Sequence, residues 1–242
     1  MIRRFAAGVG LCLAATACSS ASTQALPVPA ASSTTTTTTT VPATVTTVTA
    51  VTSTSTTTST TTTTTTTDPG PPISTGTFVR AGGGQFEIAG SPMIEFSIAV
   101  EDGSNVSLAE LVALVTDTLS DPRGWTGRGV GFRLVDEGGT FTLAVATPPT
   151  IDVLCRPLET NGRFSCARNG WIALNLDRWT SATDSWPSDI ETYRLYLINH
   201  EIGHYIVGAS HSACPGAGQS APLMMQQTKG LDGCVPNGWV DP

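Results

Sequence analysis

One stretch of twelve residues, His200 to His211, holds every histidine of the chain, in the sequence H-E-I-G-H-Y-I-V-G-A-S-H. Residues four apart in a helix lie on the same face, so His200 and His204 would present two imidazole rings on one side. Glu201 is rotated from His200 by about 100° around the helix axis. This concentration of rings and a carboxylate predicts a chemical role for the stretch rather than ordinary packing.

The spacing H-E-x-x-H is typical of zinc sites in which two histidines bind the ion and the glutamate accepts a proton from water. A hydrolytic zinc site needs three protein ligands and one open position. We therefore predict a Zn²⁺ site with His200, His204 and His211 as ligands and Glu201 as the catalytic general base. Gly208 lets the helix end in a left-handed turn, which would bring His211 back to the metal.

The stretch resembles the metzincin zinc metallopeptidases, whose pattern is H-E-x-x-H-x-x-G-x-x-H followed by a methionine turn. Three residues separate His204 from Gly208, one more than in that pattern, whereas His211 keeps its spacing from Gly208. The extra residue rotates the helix exit by about 100°, which the turn has to absorb. The downstream segment P-L-M-M resembles the methionine turn and implies that role for Met224, with Met225 as the alternative.

A larger part of the chain, from about Gly76 to its end, resembles a family of secreted actinobacterial domains of unknown function that is classed as zincin-like. This resemblance implies an α+β, zincin-like fold, in which a mixed sheet carries a backing helix and an active-site helix. The segments that carry it are D-P-R-G-W at Asp121, L-C-R-P-L at Leu154, A-P-L-M-M-Q-Q-T at Ala221 and G-C-V-P-N at Gly233.

Residues 1–18 have the pattern of an export signal, with Arg3 and Arg4 before an apolar run that is too short for a permanent membrane span. The sequence A-T-A-C that ends at Cys18 resembles a lipobox, which predicts lipidation of Cys18 and a membrane-anchored lipoprotein of the cell envelope. The same residues also fit a signal peptidase site, which predicts free secretion. In both cases we expect an exported protein.

Residues 19–75 are mostly threonine, with serine, proline, alanine and valine. Such a segment buries too little apolar surface to offset its ordering entropy, which predicts a disordered stalk, glycosylated or passive. The formal net charge of −7 and the lack of a basic cluster argue against a nucleic-acid partner. We expect a monomer that contacts the membrane only through a lipid on Cys18.

The remaining residues, 76–242, are long enough for one domain with its own core. Ser107 to Leu119 is predicted to be a helix that backs a sheet, with Ser107 and Glu110 in capping-box spacing. A second capping-box pair, Ser188 and Glu191, predicts that the histidine helix begins near Ser188. Predicted strands cover 77–79, 85–88, 93–100 and 171–176, and a hairpin is predicted from 130–135 and 140–146.

Four cysteines follow the signal, and an even number in an exported domain predicts disulfides. Pairing of nearest neighbours favours Cys155–Cys166 and Cys214–Cys234, and the second bridge would enclose both methionines of the P-L-M-M segment. The alternative is metal binding by the cysteines, but the C-x-x-C spacing typical of such sites is missing.

Two functions fit these observations. The first is an exported zinc-dependent metallopeptidase that hydrolyses peptide or protein substrates. The second is a catalytically inactive zincin-fold envelope protein that binds or scaffolds. The intact general base favours the first, whereas the extra residue before the glycine and the shortage of a free tyrosine to hold an oxyanion favour the second. A helper for the oxyanion would have to be the metal, a backbone amide, Gln226 or Gln227.

Overall fold

The computed structural model describes residues 70–187 and 189–241, all within one unit of the chain, Thr63–Pro242. The predicted signal with Cys18, most of the predicted stalk and the predicted cap Ser188 lie outside the described residues. Within the described part, no helix is both long and apolar enough to cross a membrane. Contacts with the domain begin before Gly76, because the amide of Ile73 donates to the carbonyl of Gly103.

A mixed sheet of seven strands forms the centre of the α+β fold. The strands are β1 (Phe78–Arg80), β2 (Glu87–Ile88), β3 (Met93–Glu101), β4 (Gly131–Leu134), β5 (Phe141–Ala146), β6 (Cys166–Arg168) and β7 (Trp171–Asn175). Their order in the sheet is β2-β4-β3-β5-β7-β6, and β1 pairs with β3 outside this path. The central strands β4, β3, β5 and β7 run parallel to one another, whereas β1, β2 and β6 are antiparallel to their partners.

The helices are α1 (Leu108–Ser120), α2 (Pro148–Leu154), α3 (Leu176–Ser181) and α4 (Ile190–Ile206), and a 3-10 helix covers Trp125–Arg128. The prediction for α1 is confirmed, since the side chain of Ser107 accepts a hydrogen bond from the amide of Glu110 at 3.3 Å. Helix α4 is capped by Asp189, whose carboxylate accepts from the amide of Thr192 at 2.8 Å. Strands β3 and β5 are buried along nearly their whole length because helices and loops cover both faces of the sheet.

The predicted hairpin of residues 130–135 and 140–146 is wrong. Strands β4 and β5 are both parallel to β3 and lie on opposite sides of it, so that Phe96 pairs with Leu134 on one side and with Phe141 on the other. The linking residues pass very close to β3. A side chain at Gly139 would place its Cβ 2.5 Å from the carbonyl oxygen of Glu95. The alternation of apolar residues predicts a strand but not its partner, so the inserted β3 could not be foreseen.

A buried carboxylate fastens the first described residues to the domain. Glu101, at the end of β3, is 1% exposed. It accepts hydrogen bonds from the amides of Thr75 and Gly76, both at 2.8 Å, and from Thr147 and Thr150 at the start of α2 at 2.6–2.8 Å. Because a buried carboxylate needs several donors to offset its lost hydration, this arrangement ties three segments to one point.

Both disulfides of the favoured pairing are present, Cys155–Cys166 and Cys214–Cys234. The first joins the end of α2 to strand β6. The second closes a segment with little regular structure that covers one side of α4. Two disulfides are typical of an exported protein.

Candidate metal centre

The part of helix α4 that contains His200 and Glu201 is buried on almost every side. Residues 196–203 are all buried. Tyr193 and Leu197 each precede a histidine by seven residues, about two helical turns, so they lie on the same face of the helix, and both are also buried. The reason is that the segment around Met225 covers that face, and the hydroxyl of Tyr196 donates to the carbonyl of Met225 at 3.0 Å. Beyond this buried stretch, the last turn of the helix, with His204, is partly exposed, and so is the first turn, with Glu191.

The first histidine is fixed by the backbone of the P-L-M-M turn. His200 is 4% exposed, and its Nδ1 lies 2.8 Å from the carbonyl oxygen of Leu223. Since a carbonyl can only accept, Nδ1 carries the proton and Nε2 has a free lone pair, which is the form that binds a metal. Burial also lowers the pKa of His200 to about 3, so the ring is neutral at physiological pH.

The C-terminal end of α4 accommodates the extra residue between His204 and Gly208. The amide of Val207 still donates to the carbonyl of Gly203 at 2.8 Å, and the chain then turns at Gly208, which has a φ of +93°. The carbonyl oxygen of Gly208 lies 3.1 Å from Nδ1 of His204, which leaves Nε2 of this ring free as well. The turn directs the chain back towards the helix, and the amide of Ser212 donates to the carbonyl of Met224 at 3.0 Å.

These contacts bring the three predicted ligands together. The ligand atoms of His200, His204 and His211 all lie within 4.8 Å of one another, and the group could hold a metal ion. A tetrahedral zinc ion places its nitrogen ligands about 3.4 Å apart, so small rotations of the rings suffice. The ring of His204 is nearly perpendicular to the other two, with centroid distances of 4.9 Å to each. Burial, followed by the charges of His204 and Lys229, lowers the pKa of His211 and favours its neutral form.

The predicted general base lies directly beside this cluster. Glu201 is 6% exposed, and burial raises the pKa of its carboxyl to about 8. Its Oε2 has no hydrogen-bond partner among residues 70–187 and 189–241, although such a group normally has several. A divalent cation among the histidines would lower this pKa by Coulomb attraction and favour the carboxylate. The donor set and the unpartnered oxygen therefore fit a bound zinc ion.

The two methionines have different surroundings. Met224 packs beneath α4, where a Cβ on Gly203 would lie only 2.5 Å from the sulfur of Met224 and 2.8 Å from the ring of Trp125. Met225 is 3% exposed and packs with Ala221 and Cys234 instead. Met224 is thus the methionine that lies against the helix carrying the histidines.

The two glutamines proposed as helpers also differ. Gln227 is fully buried, and its side-chain amide is bonded to the backbone of Asn237 at 2.7 and 2.9 Å, so its role is structural. Gln226 lines the cleft beside the histidines, and its Oε1 accepts a hydrogen bond from Lys229 at 3.1 Å.

Sequence reasoning missed the other wall of this cleft, which has a volume of about 270 Å³. Strand β6, which ends at Arg168, forms that wall, whereas the sequence had indicated only a disulfide at its first residue, Cys166. Phe164 and Lys229 line the cleft as well. The available signal was that Lys229 is the only lysine of the chain and follows the P-L-M-M segment closely.

Comparison of the chain with curated proteins and with solved structures gives no match. One protein family does match, over most of the described domain. The chain belongs to the family described as "Protein of unknown function (DUF3152)", whose model matches residues 67–235.

Proposed function

We propose that this protein is an exported zinc-dependent peptidase with a zincin-like domain. The observation that carries the proposal is the convergence of His200, His204 and His211 beside the buried, unpartnered carboxylate of Glu201. A purely structural metal site has no need of such a carboxylate, and burying it without a partner costs free energy. The two disulfides support export.

The residues around the histidines would keep the site ready for a metal. The carbonyls of Leu223 and Gly208 fix the ring orientation of His200 and His204 and raise the basicity of the ring nitrogens that would bind the metal. A zinc ion, when bound by the three rings, supplies a Lewis acid that lowers the pKa of water and polarises a substrate carbonyl.

In this proposal Glu201 acts as the general base, which is supported by its buried carboxyl among the residues that line the cleft with the histidines. Its carboxylate accepts a proton from the attacking water, and the water oxygen forms a bond to the carbonyl carbon of the scissile peptide. When the carbon–nitrogen bond breaks, the same group returns the proton to the leaving amine. Burial of Glu201 excludes bulk water, which strengthens each electrostatic contact within the site.

The sheet offers an edge for an extended substrate. In zincins an edge strand pairs with the substrate, and here β6 is the edge strand that lines the cleft with the histidines. Within the part of the chain that the structure describes, β6 pairs only with β7, so its other backbone edge is available for β-augmentation. The position of Met224 beneath α4 likewise supports the resemblance to metzincins.

One observation favours the alternative function, a zincin-fold protein that binds without turnover. All three tyrosine hydroxyls of the chain already take part in hydrogen bonds within the domain: Tyr193 with Thr228, Tyr196 with the backbone at 225 and 227, and Tyr205 with Trp171. A tyrosine with a free hydroxyl for the oxyanion is therefore missing from the described residues, although Tyr196 itself lines the cleft. The two functions make different predictions for hydrolysis.

The test combines metal content with turnover in the intact purified protein. We expect about one zinc ion per chain, hydrolysis of some peptides in a broad library, and at least about 100-fold slower hydrolysis in Glu201→Gln with zinc retained. In His211→Ala the zinc affinity should fall by more than the roughly 10–100-fold that is typical of losing a hydrogen-bond partner of a ligand, because a ligand itself is lost. Zinc content is measured by atomic emission and hydrolysis by mass spectrometry.

The matched control is Glu191→Gln, which makes the same chemical change at an exposed position of the same helix. It should leave both readouts unchanged. Zinc binding without hydrolysis of any peptide would support the binding protein instead. A chain that binds no zinc would refute the peptidase and leave only the protein that binds without turnover.

A further inference from the structure

The cleft differs in charge from the rest of the protein. The chain has a formal net charge of −7. The residues that line the cleft nevertheless include two cations, Arg168 and Lys229, and the single carboxylate Glu201, which is buried. The two cations are on different elements, since Arg168 ends strand β6 and Lys229 follows the P-L-M-M turn.

Both cations are available for a ligand. Most arginines of the described domain are paired with carboxylates or with backbone carbonyls, for example Arg133 with two glutamates. Among residues 70–187 and 189–241, the ion pairs within 4.0 Å include neither Arg168 nor Lys229. Arg168 and Lys229 are both exposed residues.

The lysine is nevertheless held in position. Its Nζ lies 3.1 Å from Oε1 of Gln226 and 5.1 Å from the ring centroid of Phe164, a cation–π distance. An ammonium group has three donors, and Gln226 uses one of them. A fixed cation with spare donors, next to an apolar ring, is suited to bind a carboxylate that arrives with an apolar neighbour.

We propose that the cleft selects peptides that carry a carboxylate close to the bond to be cleaved, and that Lys229 and Arg168 bind this carboxylate. This inference rests on the proposed peptidase function and names its substrate class. In a peptide the carboxylate comes either from an aspartate or glutamate side chain or from the C-terminus. Both sources offer the same oxygen acceptors, which pair with ammonium and guanidinium groups through charge-assisted hydrogen bonds.

The test measures binding, so that it does not depend on turnover. The intact zinc-loaded Glu201→Gln protein is titrated by calorimetry with three decapeptides of alanine and leucine. One has a central glutamate and an amidated end, one has glutamine instead, and one has glutamine with a free C-terminal carboxylate. We expect the glutamate peptide to bind about tenfold tighter than the amidated glutamine peptide, which corresponds to about 1.4 kcal/mol. Tight binding of the third peptide would identify the C-terminal carboxylate as the recognised group.

The double variant Lys229→Met/Arg168→Met should reduce this preference to less than about twofold. Arg156→Met/Arg163→Met is the matched control, because it removes two charges from exposed positions outside the lining of the cleft and should keep the preference. Equal binding of all three peptides, no binding at all, or a preference that survives the double variant would overturn the inference. Failure of the proposed function is distinct, since it would appear as selective binding by a wild-type protein that cleaves none of the peptides.

Discussion

Replacement of Gly203 by alanine tests whether close packing beneath α4 supports the metal site. A Cβ at this position would lie 2.5 Å from the sulfur of Met224 and 2.8 Å from Cζ2 of Trp125. Ordinary contact distances are about 3.5–4.0 Å, so the neighbours have to move by about 1 Å. Trp125 is 5% exposed and its Nε1 donates to the carbonyl of Asn199 at 3.0 Å, so the movement falls mainly on Met224.

The expected change in the free energy of unfolding of Gly203→Ala is the sum of two opposing effects. Overpacking of a buried position costs about 1–3 kcal/mol. Alanine gains about 0.5–1 kcal/mol over glycine in the interior of a helix. We therefore expect the free energy of unfolding to fall by about 1 kcal/mol. Since the turn that contains Met224 also presents the carbonyl of Leu223 to His200, the zinc affinity should fall about tenfold.

Urea denaturation of the metal-free protein measures the first quantity, and competition with a chromophoric chelator measures the second. The double variant Gly203→Ala/Met224→Ala removes the obstructing side chain, so the two changes should be less costly together than the sum of the single changes. If Gly203→Ala were at least as stable as the wild type and bound zinc equally well, the packing argument would be refuted.

Two further predictions concern stability. Glu101→Gln should lower the free energy of unfolding by about 3 kcal/mol at pH 7, because an amide cannot accept all of the hydrogen bonds that the carboxylate accepts. Burial alone would raise the pKa of Glu101, but the hydrogen bonds from Thr150, Gly76 and Thr147 outweigh it and lower the pKa. The stabilisation by Glu101 is therefore complete above the pKa of the unfolded state, about 4.3, and is lost as the pH falls through the lower pKa of the folded state. The free energies of unfolding of the two proteins, measured with urea, should converge in acid. A difference that stays constant down to about pH 2 would contradict this reasoning. Replacement of Cys214 and Cys234 by serine opens a loop with a sequence separation of 20 and should cost about 3 kcal/mol in a thermal melt, and an unchanged melting temperature would contradict the loop-entropy argument.

Local signals predicted several features that the structure shows. The cap of α1 by Ser107, the clustering of His200, His204 and His211 and the nearest-neighbour cysteine pairs all depend on residues that are close in sequence. Residues that are close in sequence have few possible partners, because the short chain between them limits which groups can come into contact. The sequence predicts Ser188 as the cap of the histidine helix, whereas the structure has the next residue, Asp189, as the cap, and the helix begins at Ile190.

Long-range partners could not be predicted. Strand β3 lies between β4 and β5, so the chain that links those two strands has to pass β3 near Gly139. The alternation of apolar and polar residues contains no information on this crossing. The short elements α2, α3 and β6 carry too few residues for a recognisable pattern. The different roles of Gln226 and Gln227 likewise follow from Asn237, which binds only the second of these neighbours.

The single lysine of this chain has a practical consequence. An amine-reactive reagent finds only one side-chain target in the whole sequence, and Lys229 places that target in the wall of the candidate cleft. Its labelling rate would thus report directly on whether the cleft is free or filled. A fluorophore attached there would serve as a built-in sensor for anything that enters.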